Sequence, residues 1–220
     1  MQERKIDRAL RIRVRLGVIE FQVVDLLFIL CLFVLGFLIR WKLMPIESAD
    51  FWGFLEDWMN QIRESGGYRS LDHQISNYTS PYMYIMCLLS YLTENDLYGL
   101  KMVSILFDYA AAVAVFLIIH QMTGQVRKAI LGMGMLLLSP TVIIDSAYWC
   151  QCDIIYTTFI LYALYCFFKN NSKSCLIFLG VAFAFKLQTL FIVPFFLIMW
   201  LKGKTIKLRH FLWIPVVYVI

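Results

Sequence analysis

The sequence has little charge and no cysteine pattern typical of a small disulfide-bonded domain. Charged residues make up only 16% of the 220 residues, whereas hydrophobic residues make up 61%, and the mean hydropathy is +0.72. Soluble domains are about 45–50% apolar, so this composition indicates a polytopic membrane protein. The net charge of +5 does not indicate nucleic-acid binding, because the basic residues are scattered between apolar runs.

Cysteine is present, but its placement argues against two of its common uses. Four of the six cysteines lie in apolar runs, where they fit small core side chains better than disulfides: Cys31, Cys87, Cys166 and Cys175. Cys150 and Cys152 form a Cys-x-Cys, but no second ligand pair follows to complete a zinc site. The sequence shows no clear set of metal ligands and therefore identifies no cofactor.

The apolar runs predict an all-α, multi-pass transmembrane fold. A span needs about 20 residues, so each of the longer runs is a candidate. The runs cover residues 21–39, 81–92, 98–119, 129–144, 154–168, 175–200 and 211–220. We expect two parts, a cytoplasmic basic head at 1–20 and a transmembrane domain at 21–220.

The two ends of the sequence carry expectations of their own. No small-residue cleavage site accompanies the first apolar run, so we expect a signal anchor rather than a removed signal peptide. The sequence stops within the run 211–220, from which we expect the chain to be the N-terminal part of a longer protein.

The distribution of basic residues predicts the orientation, because lysine and arginine favour cytoplasmic loops. We expect a cytoplasmic N-terminus, an outer loop at 40–97, and a run 81–92 that dips into the membrane without crossing it. If 81–92 crossed instead, three later loops would lie on the wrong side for their charge, the basic loops 120–128 and 169–174 and the acidic loop 145–153.

Lys186 and Gln188 lie near the centre of the run 175–200. A charge at the bilayer centre costs about 2.5–3.5 kcal/mol on insertion scales. Two shorter limbs, 175–185 and 189–201, would instead place Lys186 at an outer turn and return the following basic residues to the cytoplasmic side. Pro194 in the second limb favours such a broken helix.

The stretch "SADFWGFLEDWMNQIRESGGY" predicts an amphipathic helix in the outer loop, lying along the outer membrane surface. Its apolar residues recur at helical spacing, and Gly66-Gly67 would end it. Asp50 falls at its start. Two interpretations of Asp50 remain open, a helix cap or a carboxylate that faces a cavity and acts as a base.

Further polar residues fall near the same outer side. The stretch "SNYTSPYMY", which contains Tyr78 and Tyr82, could bind a sugar by hydrogen bonds and stacking, or could form an interfacial aromatic belt. Gln151 and Asp153 open the next span on that side. Their convergence with Asp50 and Lys186 predicts a site there.

Two charged residues fall inside the run 98–119. Lys101 and Asp108 lie two turns apart on one helical face, so we expect them to compensate each other's charge in part. For Asp108 a structural role and a role in a wet cavity both remain open.

Three motifs give the sequence a family resemblance. They are "SADFWGFLEDWMNQIRESGGY" after the first span, "LSPTVIIDSAYWCQCDIIYTTF" before a later span, and "LGVAFAFKLQTLFIVPFFL" around Lys186. With them, the chain resembles the GT-C superfamily of membrane glycosyltransferases, and most closely the bacterial relatives of the mannosyltransferase that adds the second mannose of GPI anchors. Cys150 stands where that family commonly has glycine.

The resemblance implies a GT-C-like fold in a bacterial cell membrane. It also implies transfer of a sugar, expected to be mannose, from a polyprenyl-phosphate donor to an extracytoplasmic glycan, lipid or protein, with inversion. Asp50 would be the general base, and Lys186 and Gln188 would bind the donor phosphate. The sugar pocket would be formed by Gln151, Asp153, Tyr78 and Tyr82. Some relatives use a divalent metal and others do not.

Two other classes of function explain part of the pattern. A transporter or flippase for lipid-linked glycans would also carry charges inside spans, although the sequence shows no internal inverted repeats. A non-catalytic subunit of a polysaccharide-assembly complex would use the polar residues for packing. A transporter or flippase would not explain why an acidic, amphipathic loop follows the first span.

Overall fold

The apolar runs of the sequence become helices in a computed structural model, which describes residues 10–203 and 206–219. The helices are α1 (Val23–Leu43), α2 (Glu56–Glu64), α3 (Ser80–Leu92), α4 (Asp96–Thr123), α5 (Val126–Leu137), α6 (Pro140–Ile143), α7 (Asp153–Phe168), α8 (Ser172–Phe185), α9 (Val193–Leu201) and α10 (Trp213–Val219). Turns of π-helix occupy Phe51–Leu55 and Ile144–Tyr148, and turns of 3-10 helix occupy Gly67–Asp72, Leu187–Ile192 and Leu208–Leu212.

The described part of the basic head corrects the all-α expectation. Strands β1 (Arg13–Leu16) and β2 (Ile19–Gln22) form an antiparallel hairpin. Gly17 turns the chain with a φ of 62°, which glycine adopts without steric cost. Apolar and basic residues alternate along β1, and this period of two is the strand signal in the sequence. Residues 1–9 of the predicted head lie outside the described residues.

Within the described residues, two helices are long and apolar enough to cross a membrane, α1 and α4. The segments Val126–Leu137 and Pro140–Tyr148 make a third candidate if this pair, bent by 48°, counts as one span. The bend falls at Pro140, which has no amide hydrogen to continue the helix. Shorter apolar helices cover 153–168, 172–185, 187–201 and 208–217.

Helix α3 has both of its ends at one end of the helix bundle, as expected for a segment that does not cross. Before its first residue, Thr79 donates to the carbonyl of Phe185 at the end of α8, with 2.7 Å between the atoms. After its last residue, the carbonyl of Thr93 accepts from Arg63, which also pairs with Asp96 at the start of α4. We call this the α4-start end of the bundle.

The run 175–200 is broken at the predicted place. Helix α8 ends at Phe185, and α9 returns so that Phe196 is buried in one cluster with Leu176 near the start of α8. Beyond α9, the backbone amide of Lys207 donates to the hydroxyl of Ser172, with 2.9 Å between the atoms. The basic segment after α9 therefore lies beside the start of α8, at the opposite end from the turn that carries Lys186.

A buried ion pair ties α1 to α4. The Arg40 guanidinium donates from Nε to Asp108 at 2.7 Å, and both side chains have 0% exposure. Arg40 also donates to the carbonyl of Leu137 at the end of α5, while Ser146 donates to the same Asp108 oxygen. This network corrects the expected compensation between Asp108 and Lys101, because Asp108 takes its charge partner from the first span.

Lys101 instead binds the end of α1. Its ammonium group donates to the carbonyls of Leu43, Met44 and Ile46. The helix ends at Leu43, so the cation supplies hydrogen bonds to carbonyls at and just beyond its last turn and complements the negative end of the helix dipole. Lys101 therefore has a structural role at this position.

Replacing Arg40 by Met should destabilise the protein strongly, because it leaves the Asp108 carboxylate buried without a counter-charge. Breaking a buried pair costs about 3–5 kcal/mol, which corresponds to a melting temperature lower by roughly 10 °C in a chain of this size. The double variant Arg40→Met/Asp108→Asn removes both charges and should recover more than half of that loss. Thermal melting in detergent measures both, and equal melting of the two variants would contradict the pairing.

The hairpin of α8 and α9 predicts that Gln188 and Lys202 lie on opposite sides of the membrane. In a Cys31→Ser background, which removes the exposed native cysteine, Gln188→Cys and Lys202→Cys should react with an impermeant maleimide from opposite faces of sealed vesicles. Lys169→Cys is the control and should react from the same face as Lys202→Cys. Labelling of positions 188 and 202 from one face would show that α8 and α9 do not form a hairpin in the membrane.

Candidate functional site

A cavity of about 420 Å3 opens at the α4-start end of the bundle. Five of the residues predicted from the sequence line it, namely Asp50, Tyr78, Gln151, Lys186 and Gln188. They come from four separate segments of the chain. The fold therefore brings into one wall a carboxylate, a phenol, two amides and an ammonium group.

Asp50 does not cap the helix that follows it. The backbone amide of Phe51 donates a hydrogen bond to the hydroxyl oxygen of Ser48, at 3.2 Å, and the Asp50 side chain makes no capping bond. The half-buried Asp50 carboxylate instead accepts a hydrogen bond from the Gln151 amide nitrogen, with 2.8 Å between the atoms. The capping interpretation is therefore wrong, and the carboxylate faces the cavity.

Gln151 joins two sides of the site. Its backbone carbonyl accepts from Ser104 and its backbone amide donates to the carbonyl of Asp145, so its main chain is held at both groups. Its side-chain oxygen accepts from the Tyr78 hydroxyl at 3.1 Å, while its amide nitrogen donates to Asp50. Because a phenol donates to the oxygen and not to the nitrogen, this arrangement directs the amide nitrogen at the carboxylate.

Lys186 reaches the cavity because the helix stops at the residue before it. Its backbone is extended, with φ −158° and ψ 130°. The ammonium group pairs with Asp153 at the start of α7 and lies 5.9 Å from the centre of the Tyr78 ring. Burial lowers the pKa of Lys186, but the hydrogen bond and charge of Asp153 outweigh it and raise the pKa above the ordinary value. Lys186 therefore stays charged at neutral pH.

Two predicted pocket residues, Tyr82 and Asp153, are not among the residues that line the cavity. Tyr82 is only 1% exposed and packs against Tyr78, with 5.0 Å between the ring centres, so it supports the wall without access to a ligand. Asp153 reaches the site through its ion pair with Lys186. Burial therefore excludes the predicted sugar contact for Tyr82, whereas the Asp153 side chain is 42% exposed and its sugar contact stays a prediction.

The cavity also contains residues that the sequence did not single out. Phe54, Trp58, Asn77 and Thr79 line it. The Trp58 ring meets the Tyr78 ring edge to face, with 5.5 Å between the centres. Phe54 and Trp58 belong to the apolar residues that recur at helical spacing in this stretch. Four others of that set are buried within the protein, namely Phe51, Leu55, Met59 and Ile62, whereas Phe54 is 57% exposed. Asn77 and Thr79 belong to "SNYTSPYMY", whose mixture of polar and aromatic residues was the sequence signal that could have indicated them as cavity residues.

Burial keeps two neutral hydrogen donors at the site. It raises the pKa of the Tyr78 hydroxyl, and the nearby Cys152, Asp153 and Asp50 raise it further, so the phenol remains a donor to Gln151. Burial also raises the pKa of the Cys152 thiol to about 12, against the opposing effect of the Lys186 charge. At neutral pH the Cys152 side chain is therefore a thiol, not a thiolate.

Cys150 has an unusual backbone for its residue type. Its φ of 63° lies in the left-handed region, and its side chain is only 2% exposed. Left-handed geometry costs a residue with a Cβ atom roughly 1–2 kcal/mol, which glycine avoids. The turn before Gln151 therefore has the geometry that favours glycine, although cysteine occupies it.

Among the described residues, no group of three or more His, Cys, Asp or Glu side chains is placed to hold a metal ion. No protein-family model, curated protein or solved structure matches the chain.

Glycine substitutions at the two buried cysteines should have opposite effects. Cys150→Gly removes the left-handed strain and should keep or raise the melting temperature. Cys152 has a φ of −109° and a buried side chain, so Cys152→Gly relieves no strain, adds chain entropy to the unfolded state and leaves a small cavity. It should lower the free energy of unfolding by at least about 1 kcal/mol, and the melting temperature with it. Melting in detergent compares the two variants, and a larger loss for Cys150→Gly would contradict the backbone assignment.

Proposed function

We propose that the protein is a membrane glycosyltransferase that moves a sugar, expected to be mannose, from a polyprenyl-phosphate donor to an extracytoplasmic glycan, lipid or protein acceptor. The observation that carries the proposal is that Asp50 and Lys186 line the same cavity. An acid that can accept a hydroxyl proton and a cation that can bind a phosphate are the two groups that this transfer needs.

In the proposed reaction, the acceptor hydroxyl gives its proton to Asp50 as its oxygen bonds to the anomeric carbon. The bond from that carbon to the phosphate oxygen breaks, and the polyprenyl phosphate leaves with the electron pair. A single displacement of this kind inverts the anomeric carbon. The proton on Asp50 is later lost to water, so the carboxylate is restored.

Gln151 and Tyr78 support this role by orienting Asp50. Gln151 donates to one carboxylate oxygen, Oδ2, so the other oxygen is the one that receives the acceptor proton. The Tyr78 hydroxyl holds the Gln151 amide in the orientation that this bond requires. Both are positioning residues in the proposal, and a fixed base avoids part of the entropy cost of the reaction.

Lys186 and Gln188 are proposed to bind the donor phosphate and to stabilise its charge as it leaves. The pair with Asp153 keeps Lys186 protonated and directed at the Tyr78 side of the cavity. A lysine pairs with phosphate as a compact charge with three donors, which suits a group whose charge grows during the reaction.

The orientation in the membrane is also a proposal. Four basic segments lie at one end of the bundle, in the hairpin strand β1, at the start of α5, at the start of α8 and after α9. Because such segments favour the cytoplasm, we place the N-terminus there and the cavity on the extracytoplasmic side of a bacterial cell membrane. A GT-C-like transmembrane domain over 21–220, with its outer loop at 40–97, completes the proposal.

The function predicts that Asp50→Asn abolishes transfer while the protein still accumulates in membranes. Loss of a general base lowers rates by about 10²–10⁴-fold, so transfer from labelled polyprenyl-phosphate mannose should fall at least 100-fold. Asp57→Asn is the matched control, because Asp57 is an exposed acid on α2 that bonds Gln61 and does not line the cavity. Equal transfer by the two variants would show that Asp50 is not the base.

A further inference from the structure

A groove runs along α1 and α5, starting at the end of the bundle far from the candidate site. It consists of three cavities of about 340, 460 and 460 Å3 that share lining residues. Asp25 and Arg127 line the first and second, and Phe28, Ile130 and Leu131 line the second and third. The three cavities are therefore sections of one continuous groove.

The first section of the groove is polar and contains two accessible guanidinium groups. The side chains of Arg127 and Arg13 are both 76% exposed. Arg127 donates to Gln22 at 3.1 Å and lies 3.6 Å from Asp25, while Arg13 lies 3.5 Å from Glu20. Exposed pairs of this kind are weak, and each guanidinium has five donors, so donors remain for a further anion.

The rest of the groove is apolar. Leu131 and Met135 stand one helical turn apart on its wall and are 64% and 69% exposed. Gly134 lets α1 approach closely, since a Cβ atom there would lie 3.1 Å from Leu32. From Arg127 to Leu138 the groove extends about 16 Å at a helix rise of 1.5 Å per residue. This length is about half of a hydrocarbon core of roughly 30 Å.

We infer that this groove is a binding site for one membrane phospholipid. The phosphate meets Arg127 and Arg13 at the polar end, and an acyl chain lies along Phe28, Leu131 and Met135. Two exposed guanidinium groups, each beside a carboxylate, at one end and an apolar wall as long as one leaflet match a lipid headgroup and its chain. Because a phosphate could also bind as a free ion, the apolar wall is what identifies the ligand as a lipid.

A second groove in the structure supplies an internal comparison. It lies between α1 and α4, has a volume of about 380 Å3, and is lined by Tyr109 and seven apolar residues, without a basic side chain. It has nothing to bind a phosphate, so it should hold only the bulk lipid that surrounds any membrane protein. Leu106 lines this second groove and is 62% exposed, which makes it the match for Leu131.

The experiment measures the phospholipid that stays with the full chain after purification in mild detergent, by native mass spectrometry. Two variants disrupt the site. Leu131→Trp fills the groove, and Arg127→Gln removes the phosphate contact. Two controls leave it intact, Leu106→Trp in the second groove and Lys128→Gln beside Arg127. The wild-type chain and the controls should retain about one phospholipid per chain, and both site variants should lose it at least 10-fold.

Three outcomes decide the inference. Loss in both site variants, with melting temperatures in lipid-free detergent equal to the controls, supports a specific lipid site. Equal retention in all five proteins would show that only surrounding lipid is bound and would overturn it. The last measurement compares stabilisation of the chain by inorganic phosphate and by phosphatidylglycerol. If phosphate alone stabilises the chain as much, and Arg127→Gln abolishes this effect while Leu131→Trp does not, the site binds a free ion and the lipid assignment fails.

Discussion

The buried pair between Arg40 and Asp108 is the interaction on which the position of the cavity depends. It joins α1 to α4 inside an apolar bundle, where neither charge has another counter-ion among the described residues. Since an unpaired charge there would be costly, the two helices keep a single register. Lys101 then holds the last carbonyls of α1, and Ser48 bonds the carbonyl of Trp149. These contacts fix the path of the chain between the end of α1 and Asp50.

The cavity itself depends on a helix that stops. Lys186 follows a helix of apolar residues, and the chain turns back at its extended backbone. The same break brings the ammonium group to Asp153 and Tyr78. In the proposed topology, the break that keeps the Lys186 charge out of lipid is therefore also the break that places this charge in the cavity. The proposed phosphate site and the proposed topology both rest on it.

The two ends of the bundle differ in chemistry. One end presents the carboxylates, aromatic rings and amides of the cavity, and the other presents arginines and lysines around the hairpin and the starts of α5 and α8. A cytoplasmic surface favours the second kind of end. The proposed lipid groove begins at that basic end, so the proposed catalytic cavity and the proposed lipid site lie at opposite ends of the bundle.

Local features could be predicted from the sequence, because they depend on residues near each other. The apolar helices and the break at Lys186 follow from the cost of charge and of short spans in lipid. The hairpin was not predicted because strands of four residues give only a short alternating pattern, and the many basic residues of this segment suggested a charged head instead. The partner of Asp108 was missed because a helix face indicates nearby partners on its own helix, whereas Arg40 is 68 positions away. Only the tertiary structure could set Gln151 between Asp50 and Tyr78 and bury Tyr82, because Asp50 and Gln151 are 101 positions apart and meet solely through helix packing.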